Sequence, residues 1–184
     1  MKRGIALLLG TVIVITACGK KCTAADSFAP EESQVKAAMI LNLAKFIEWP
    51  AEIFSPGNTP FMICLIGKSS FGHALQTLTG KTVKGRRVVV RQIFRSDEFD
   101  KCHTLVIGES ELRRIPAILD RAAKHPVVTV SDLPGFTTAG GTIGLVEQEG
   151  KIRFEINLET AHHANIRISP QLIKLATTVR GGGR

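Results

Sequence analysis

The side chains able to do chemistry occur singly rather than as a set. Gly67-Lys68-Ser69 matches the last positions of a phosphate-binding loop, but the glycine such a loop needs five residues upstream is Met62. The triplet therefore reads as a strand-to-helix turn, with Ser69 or Ser70 capping the helix. The stretch from Gly135 to Gly144 is rich in glycine yet opens no helix, so the dinucleotide fingerprint fails. His162 and His163 are adjacent, which on a helix sets them about 100° apart and keeps them from sharing a metal easily. His103 lies in an apolar run and reads as a core histidine. Ser131-Asp132 closes another apolar run, a place where α/β ligand sites form and where Asp is also an ordinary turn residue. Neither HExxH nor Gly-x-Ser-x-Gly occurs. The expectation is a protein that is not an enzyme, with no catalytic residues, no cofactor and no metal site.

The cysteines carry the remaining chemistry. Cys64 and Cys102 sit in the apolar runs Phe61–Ile66 and Cys102–Ile107, which could be neighbours in one sheet. In an oxidising compartment they are expected to pair. The alternatives are two buried free thiols, or a redox or metal pair, for which no CxxC or Cys/His spacing speaks.

Short strands alternating with helices would position these groups. Residues 20–30 read as a tether. Glu31 to Glu48 has helical spacing of Val35, Ala38, Met39, Leu41, Leu43, Phe46 and Ile47, with Pro50 as its stop. Trp49 and Phe46 are either core or partner anchors. Residues 51–60 form a loop, Phe61–Gly67 a strand, Phe71–Leu78 a short helix, and Lys84–Phe94 a strand around Val88–Val90. His103–Gly108 is a strand, Ser110–His125 a helix capped by Ser110 and bent at Pro116, and Val127–Val130 a strand. Gly135–Gly141 is a loop. Thr142–Val146 and Lys151–Leu158 form a hairpin through Gln148-Glu149-Gly150, and Pro170–Arg180 is a last helix. The fold class expected is α/β: a single-domain sandwich with a largely parallel sheet, an antiparallel edge hairpin and helices on both faces. On the hairpin, Arg153, Glu155 and Asn157 share one face. That face is either solvated or a polar partner-binding surface to which Arg167 and Lys174 contribute.

The chain has 184 residues, with 24 Lys plus Arg against 16 Asp plus Glu. Its first residues are an address. Lys2 and Arg3 precede an apolar run from Ile5 to Ile15, too short to span a bilayer and typical of a secretory signal. Ile15-Thr16-Ala17-Cys18 has the form of a bacterial lipobox, which makes Cys18 a candidate lipidation site. Thr23-Ala24-Ala25 offers ordinary cleavage instead. Residues 1–25 are thus expected to be signal peptide and tether, and residues 26–184 the folded domain. Four of the 24 bases fall in residues 1–25, which contain no acid, so the body carries 20 bases against 16 acids, a charge of +4. Export, the absence of Tyr and a single Trp argue against a nucleic-acid partner.

The ordered pieces Val35-Lys36-Ala37-Ala38, Asn42–Pro50, Cys64-Leu65-Ile66-Gly67, Phe71-Gly72, Cys102-His103, Gly135-Phe136, Gly140-Gly141, Arg153–Leu158 and Leu172–Ala176 make the chain resemble the YfiR family of periplasmic bacterial proteins. They span residues 33–177, and Lys45-Phe46-Ile47-Glu48-Trp49-Pro50 is the most telling. The resemblance implies a small non-catalytic α/β regulator in the periplasm; a lipobox is not a usual family feature, so a lipid anchor at Cys18 is a departure from the family pattern. It implies a partner, the periplasmic region of a membrane-bound diguanylate cyclase, whose cyclic di-GMP output it represses. It also implies capture by an OmpA-type outer-membrane lipoprotein, and a homodimer. A Cys64–Cys102 disulfide is implied as well; a second bridge near the glycine loop is absent here, since residues 138–146 hold no Cys. The competing class is a periplasmic small-ligand-binding or sensor-accessory protein, with strand ends near Gly67, Ser131 and Gly140 making a pocket.

Overall fold

A computed structural model of the chain describes residues 28–54 and 59–182. The expected signal peptide, both cleavage sites, Cys18, Cys22 and loop residues 55–58 lie outside the described residues. The elements in chain order are α1 (Phe28–Ala44), β1 (Ile47–Glu48), β2 (Phe61–Ile66), α2 (Gly72–Gln76), β3 (Thr82–Val83), β4 (Arg86–Ile93) and β5 (Thr104–Ile107). There follow α3 (Ile115–Ala122), β6 (Val128–Ser131), β7 (Ile143–Gln148), β8 (Lys151–Asn157), α4 (Leu158–His163), β9 (Arg167–Ile168), α5 (Pro170–Leu175) and β10 (Thr178–Arg180). Short 3-10 turns cover Ala51–Ile53, Ser96–Lys101 and Glu109–Arg114.

Eight strands form one sheet in the order β10-β8-β7-β6-β5-β2-β4-β3. Pairing from β4 through β2, β5 and β6 to β7 is parallel, as is β10 with β8. The β7–β8 hairpin and the β3–β4 pair are antiparallel. Parity along the strands divides two apolar layers. Phe61, Ile63 and Leu65 of β2 join Val106, Val130 and Ile156 in a core covered by α1 and α2. Cys64 and Ile66 join Leu105 and Ile107 beneath α3, whose Ile118 packs on them. The central strands are buried on both faces, which is why they read as unbroken apolar runs. Helices cover both faces of the largely parallel sheet, as expected.

Three helical segments differ most from the sequence expectation. Helix α1 starts at Phe28 and ends at Ala44, not Glu48. Its last turn closes with Lys45 N–H to the Asn42 carbonyl and Phe46 N–H to the Leu43 carbonyl. Ile47-Glu48 then extend to pair with Arg167-Ile168 of β9, and Trp49 Nε1–H donates to the His103 carbonyl at 2.9 Å. The long-range pairing overrides a helical pattern that Pro50 alone would have stopped. Helix α5 ends at Leu175, not Arg180: Thr177 N–H donates to the Phe154 carbonyl, and residues 178–180 become the strand β10 beside β8. The hairpin therefore stands one strand inside the sheet edge. The segment expected as one helix from Ser110 is a 3-10 stretch followed by α3, with Pro116 in the first turn of α3 rather than within a longer helix. Ser110 does not cap it; its Oγ accepts from the Lys68 N–H.

The hairpin turn agrees with its sequence. Glu149 and Gly150 both have positive φ, 53° and 69°, the two-residue geometry that matches the twist of paired strands. The Cys64–Cys102 disulfide is formed, and both cysteines are buried between β2 and the start of β5.

Candidate functional site

Ligands of open parallel sheets bind beyond the carboxyl ends of the strands, where the strand order reverses. Here that point lies between β2 and β5, and the chain itself closes it. Lys68 N–H donates to Ser110 Oγ at 2.8 Å, and Ser70 N–H donates to the Glu109 carboxylate at 3.2 Å. These are the backbone donors a phosphate would need, so the Gly67-Lys68-Ser69 turn is occupied by protein groups. A side chain at Gly108 would collide with the Lys68 carbonyl, so the two loops are in direct contact. Helix α1 seals the same edge. Ser33 Oγ–H donates to the Ser70 carbonyl, and Lys36 Nζ lies 2.8 Å from Asp132 and 2.6 Å from Glu32. Burial opposes the charge of Lys36, but the hydrogen bonds and charges of Asp132 and Glu32 outweigh it and raise its pKa. Asp132 thus serves as the seat of α1.

His103 is a buried core histidine, as its sequence setting suggested. Its Nδ1 accepts from the Met62 N–H at 2.9 Å, which fixes the ring as a neutral imidazole. Burial, and then the nearby Arg86 guanidinium, push its pKa down to about 4. Phe54 and Phe61 stack on it with centroids 4.5 and 5.0 Å away, and Trp49 meets Phe61 edge-on. Trp49 is therefore core. The Arg86 guanidinium covers the outer face of Phe54 and donates to the Thr59 carbonyl.

Two surface features are open. A polar cleft of about 510 Å³ is lined by Glu48, Trp49, Glu52, His162, Asn165 and Arg167. An apolar groove of about 360 Å³ runs between α1 and α5, lined by Val35, Met39, Phe46, Phe154, Leu172 and Leu175. Phe46 is 40% and Leu175 66% exposed.

The five residues proposed from sequence as one partner surface are dispersed. Glu155 accepts from Thr137 Oγ1 at 2.6 Å, and Asn157 Nδ2–H donates to the Thr137 carbonyl. Asn157 Oδ1 also caps α4 by accepting from the Thr160 N–H. These two residues hold the glycine-rich loop against the hairpin. Arg153 projects from the same face as Glu155 and is exposed. Lys174 sits on α5, whose Leu172 packs on the opposite, α1-covered face. Arg167 lies in the polar cleft opposite Glu48. Of the apolar groove only Phe46 was singled out in the sequence, as either core or a partner anchor; its other residues have the spacing of an ordinary core face. Among the described residues no group of His, Cys, Asp or Glu could hold a metal, and no helix is long and apolar enough to cross a membrane.

A parallel sheet with reversed strand order and helices on both faces defines a doubly wound α/β domain. The chain belongs to the YfiR/HmsC-like family, whose model matches residues 33–177. The crystal structure of a conserved domain protein from Vibrio cholerae O1 biovar eltor str. N16961 is similar in fold. Its TM-score is 0.53 at 14% identity, covering 80% of this chain and 60% of that one. The ABC domain in complex with L-Trp from Streptococcus pneumoniae gives a TM-score of 0.49 at 12% identity, covering 76% of this chain and 59% of that one. The chain thus spans about 60% of the length of the solved structures it matches.

Proposed function

We propose that this chain is a non-catalytic repressor that binds the periplasmic region of a membrane-bound diguanylate cyclase and lowers cyclic di-GMP output. An OmpA-type outer-membrane lipoprotein competes for it, and a homodimer is part of the same reading. The observation that carries the proposal is the family match across residues 33–177. The closed switch point supports it, because the edge where a small substrate would bind is filled by Ser110, Glu109 and the Lys36–Asp132 pair.

The contact surface is assigned to the α1–α5 groove with Lys174 on its rim, and Arg153, Glu155, Asn157 and Arg167 are left to secondary contacts or to the fold. An apolar segment of the cyclase filling the groove would bury Phe46 and Leu175, each contributing about 1–2 kcal/mol. Such a partner shifts the cyclase only by its differential affinity for the inactive state. Co-purification of residues 26–184 with the periplasmic region of the cyclase tests this. Leu175→Asp and Phe46→Ser should each weaken capture at least about tenfold, in line with those burial energies. Full retention by both variants would remove the groove from the interface.

A second reading is a small-ligand sensor, favoured by the polar cleft. Glu48 and Glu52 face Arg167 and His162 there, charges of both signs around one open volume. A thermal shift with a soluble ligand, abolished in Arg167→Ala, would support it.

A further inference from the structure

His103 holds both ends of one surface turn. Its own backbone is fixed in the sheet: its N–H donates to the Met62 carbonyl, and its carbonyl accepts from the Val128 N–H. The same carbonyl takes the indole N–H of Trp49, at the start of the turn. Phe54, at the end of the turn, stacks on the imidazole with centroids 4.5 Å apart and planes 9° apart. No residue of the 3-10 turn Ala51–Ile53 between them is buried. Its hold on the sheet therefore comes chiefly from Trp49, Phe54 and the half-buried Ile53. On the inner side, the Met62 N–H donates to His103 Nδ1 at 2.9 Å. The ring can respond to a proton, whereas the backbone around it cannot.

Protonation turns Nδ1 from an acceptor into a donor, so the ring and the Met62 N–H would face each other as two donors. Phe54 and Phe61 can favour a cation over their faces, but neither offers Met62 an acceptor. Burial also opposes the charge. The charged groups nearby do not offset this. From β4 comes Arg86, whose guanidinium covers Phe54 at 4.3 Å and repels a second cation. From β2 come Phe61 and Met62 and from β6 Val128, none of them charged. The turn and its approach carry Glu48 and Glu52, both exposed. Phe61 is buried and Phe54 half-buried, so a charged ring reaches water past Phe54.

We propose that His103 is an acid-operated latch: on protonation it releases Phe54 and the turn Ala51–Ile53, and the polar cleft loses the wall formed by Trp49, Pro50, Ala51 and Glu52, while the sheet stays folded. Such an opening is local, below the free energy of global unfolding. Hydrogen exchange tests it in residues 26–184, since every buried residue described lies between Ala37 and Leu172. The Met62 amide and the indole N–H of Trp49, the single tryptophan, report the latch. The Val106 amide, buried in the central strand β5, reports global unfolding. Measured against intrinsic rates, the protection of Met62 and Trp49 should fall about a hundredfold from pH 7 to pH 4 and stay below that of Val106 at each pH. In His103→Gln the pH dependence should vanish. In Arg86→Gln the closed latch protonates more readily, so the fall should be smaller than in wild type. Protection that does not change with pH would overturn the proposal, as would Met62 and Val106 sharing one protection factor, which means global unfolding alone. A fall retained in His103→Gln would place the titration on Glu48 or Glu52 and also overturn it. Should His103→Gln fail to fold, a fall in Arg86→Gln equal to that of wild type has the same force. None of these measurements involves the cyclase or a small ligand, so the latch and the readings of function fail separately.

Discussion

His103 shows how one residue can be fixed by its surroundings. The Met62 N–H occupies Nδ1, two aromatic rings cover the imidazole, and the Arg86 charge lies nearby. Its native pKa of about 4 is below the unfolded value of about 6.5. The unfolded chain therefore binds more protons between those limits. The stabilisation is complete above about pH 6.5 and is lost as the pH falls towards 4. In His103→Gln, whose amide oxygen can still accept from Met62, this contribution disappears. Denaturant unfolding from pH 7 to pH 4 should show wild type losing up to about 3 kcal/mol more than the variant. Equal pH slopes would mean that His103 titrates normally. The buried state of His103 was legible in its apolar run; its bond to Met62 was not, because the partner lies 41 residues away in a neighbouring strand.

At the scale of elements, the central strands were legible because burial on both faces demands continuous apolar runs, as in Phe61–Ile66 and Thr104–Ile107. The hairpin was legible through Glu149-Gly150. The elements that escaped are short: strands made by distant pairing, and helix α4, which Asn157 caps locally where the sequence reading ran a strand to Leu158. Strand β1 exists because β9 lies beside it, and β10 because β8 does; neither has a local pattern that distinguishes it from the end of a helix. The motif Lys45–Pro50 is explained by this packing: it turns the chain out of α1, pairs with β9 and sends Trp49 onto the His103 carbonyl. The contact of the two loops at the closed switch point makes a sharper prediction. A Cβ at Gly108 would meet the backbone of Lys68, which cannot move aside as a flexible side chain would. Gly108→Ala should destabilise by about 2–4 kcal/mol, as overpacking of a tight site does, and lower the melting temperature of the whole domain. Gly135→Ala, with positive φ but nothing near its Cβ, should cost only about 1 kcal/mol. A Gly108→Ala melt no lower than that of Gly135→Ala would contradict the closed-edge description.

For the whole molecule, the disulfide ties the middle of β2 to the residue entering β5 across a sequence separation of 38. In the chain-entropy model a loop of that length stabilises by about 4 kcal/mol. Cys64→Ser or Cys102→Ser should therefore lower stability by up to that amount, and lower the amount of protein recovered from the periplasm. Unchanged melting in both would show that the bridge adds nothing to the fold. Reading the molecule as a regulator depends on order along the chain more than on composition, whose positive charge falls by half once residues 1–25 are set apart. The proposed groove surface could not be read from sequence as a whole, because it is assembled from residues on separate elements, and Leu175 taken alone has the character of any core residue. The most direct test of the central claim is cellular cyclic di-GMP measured in a host strain lacking this chain and again after its return. The account predicts a rise on deletion, a return to the starting level with wild type, and no return with Leu175→Asp at equal protein abundance. Cyclic di-GMP that stays constant through deletion and complementation would contradict it.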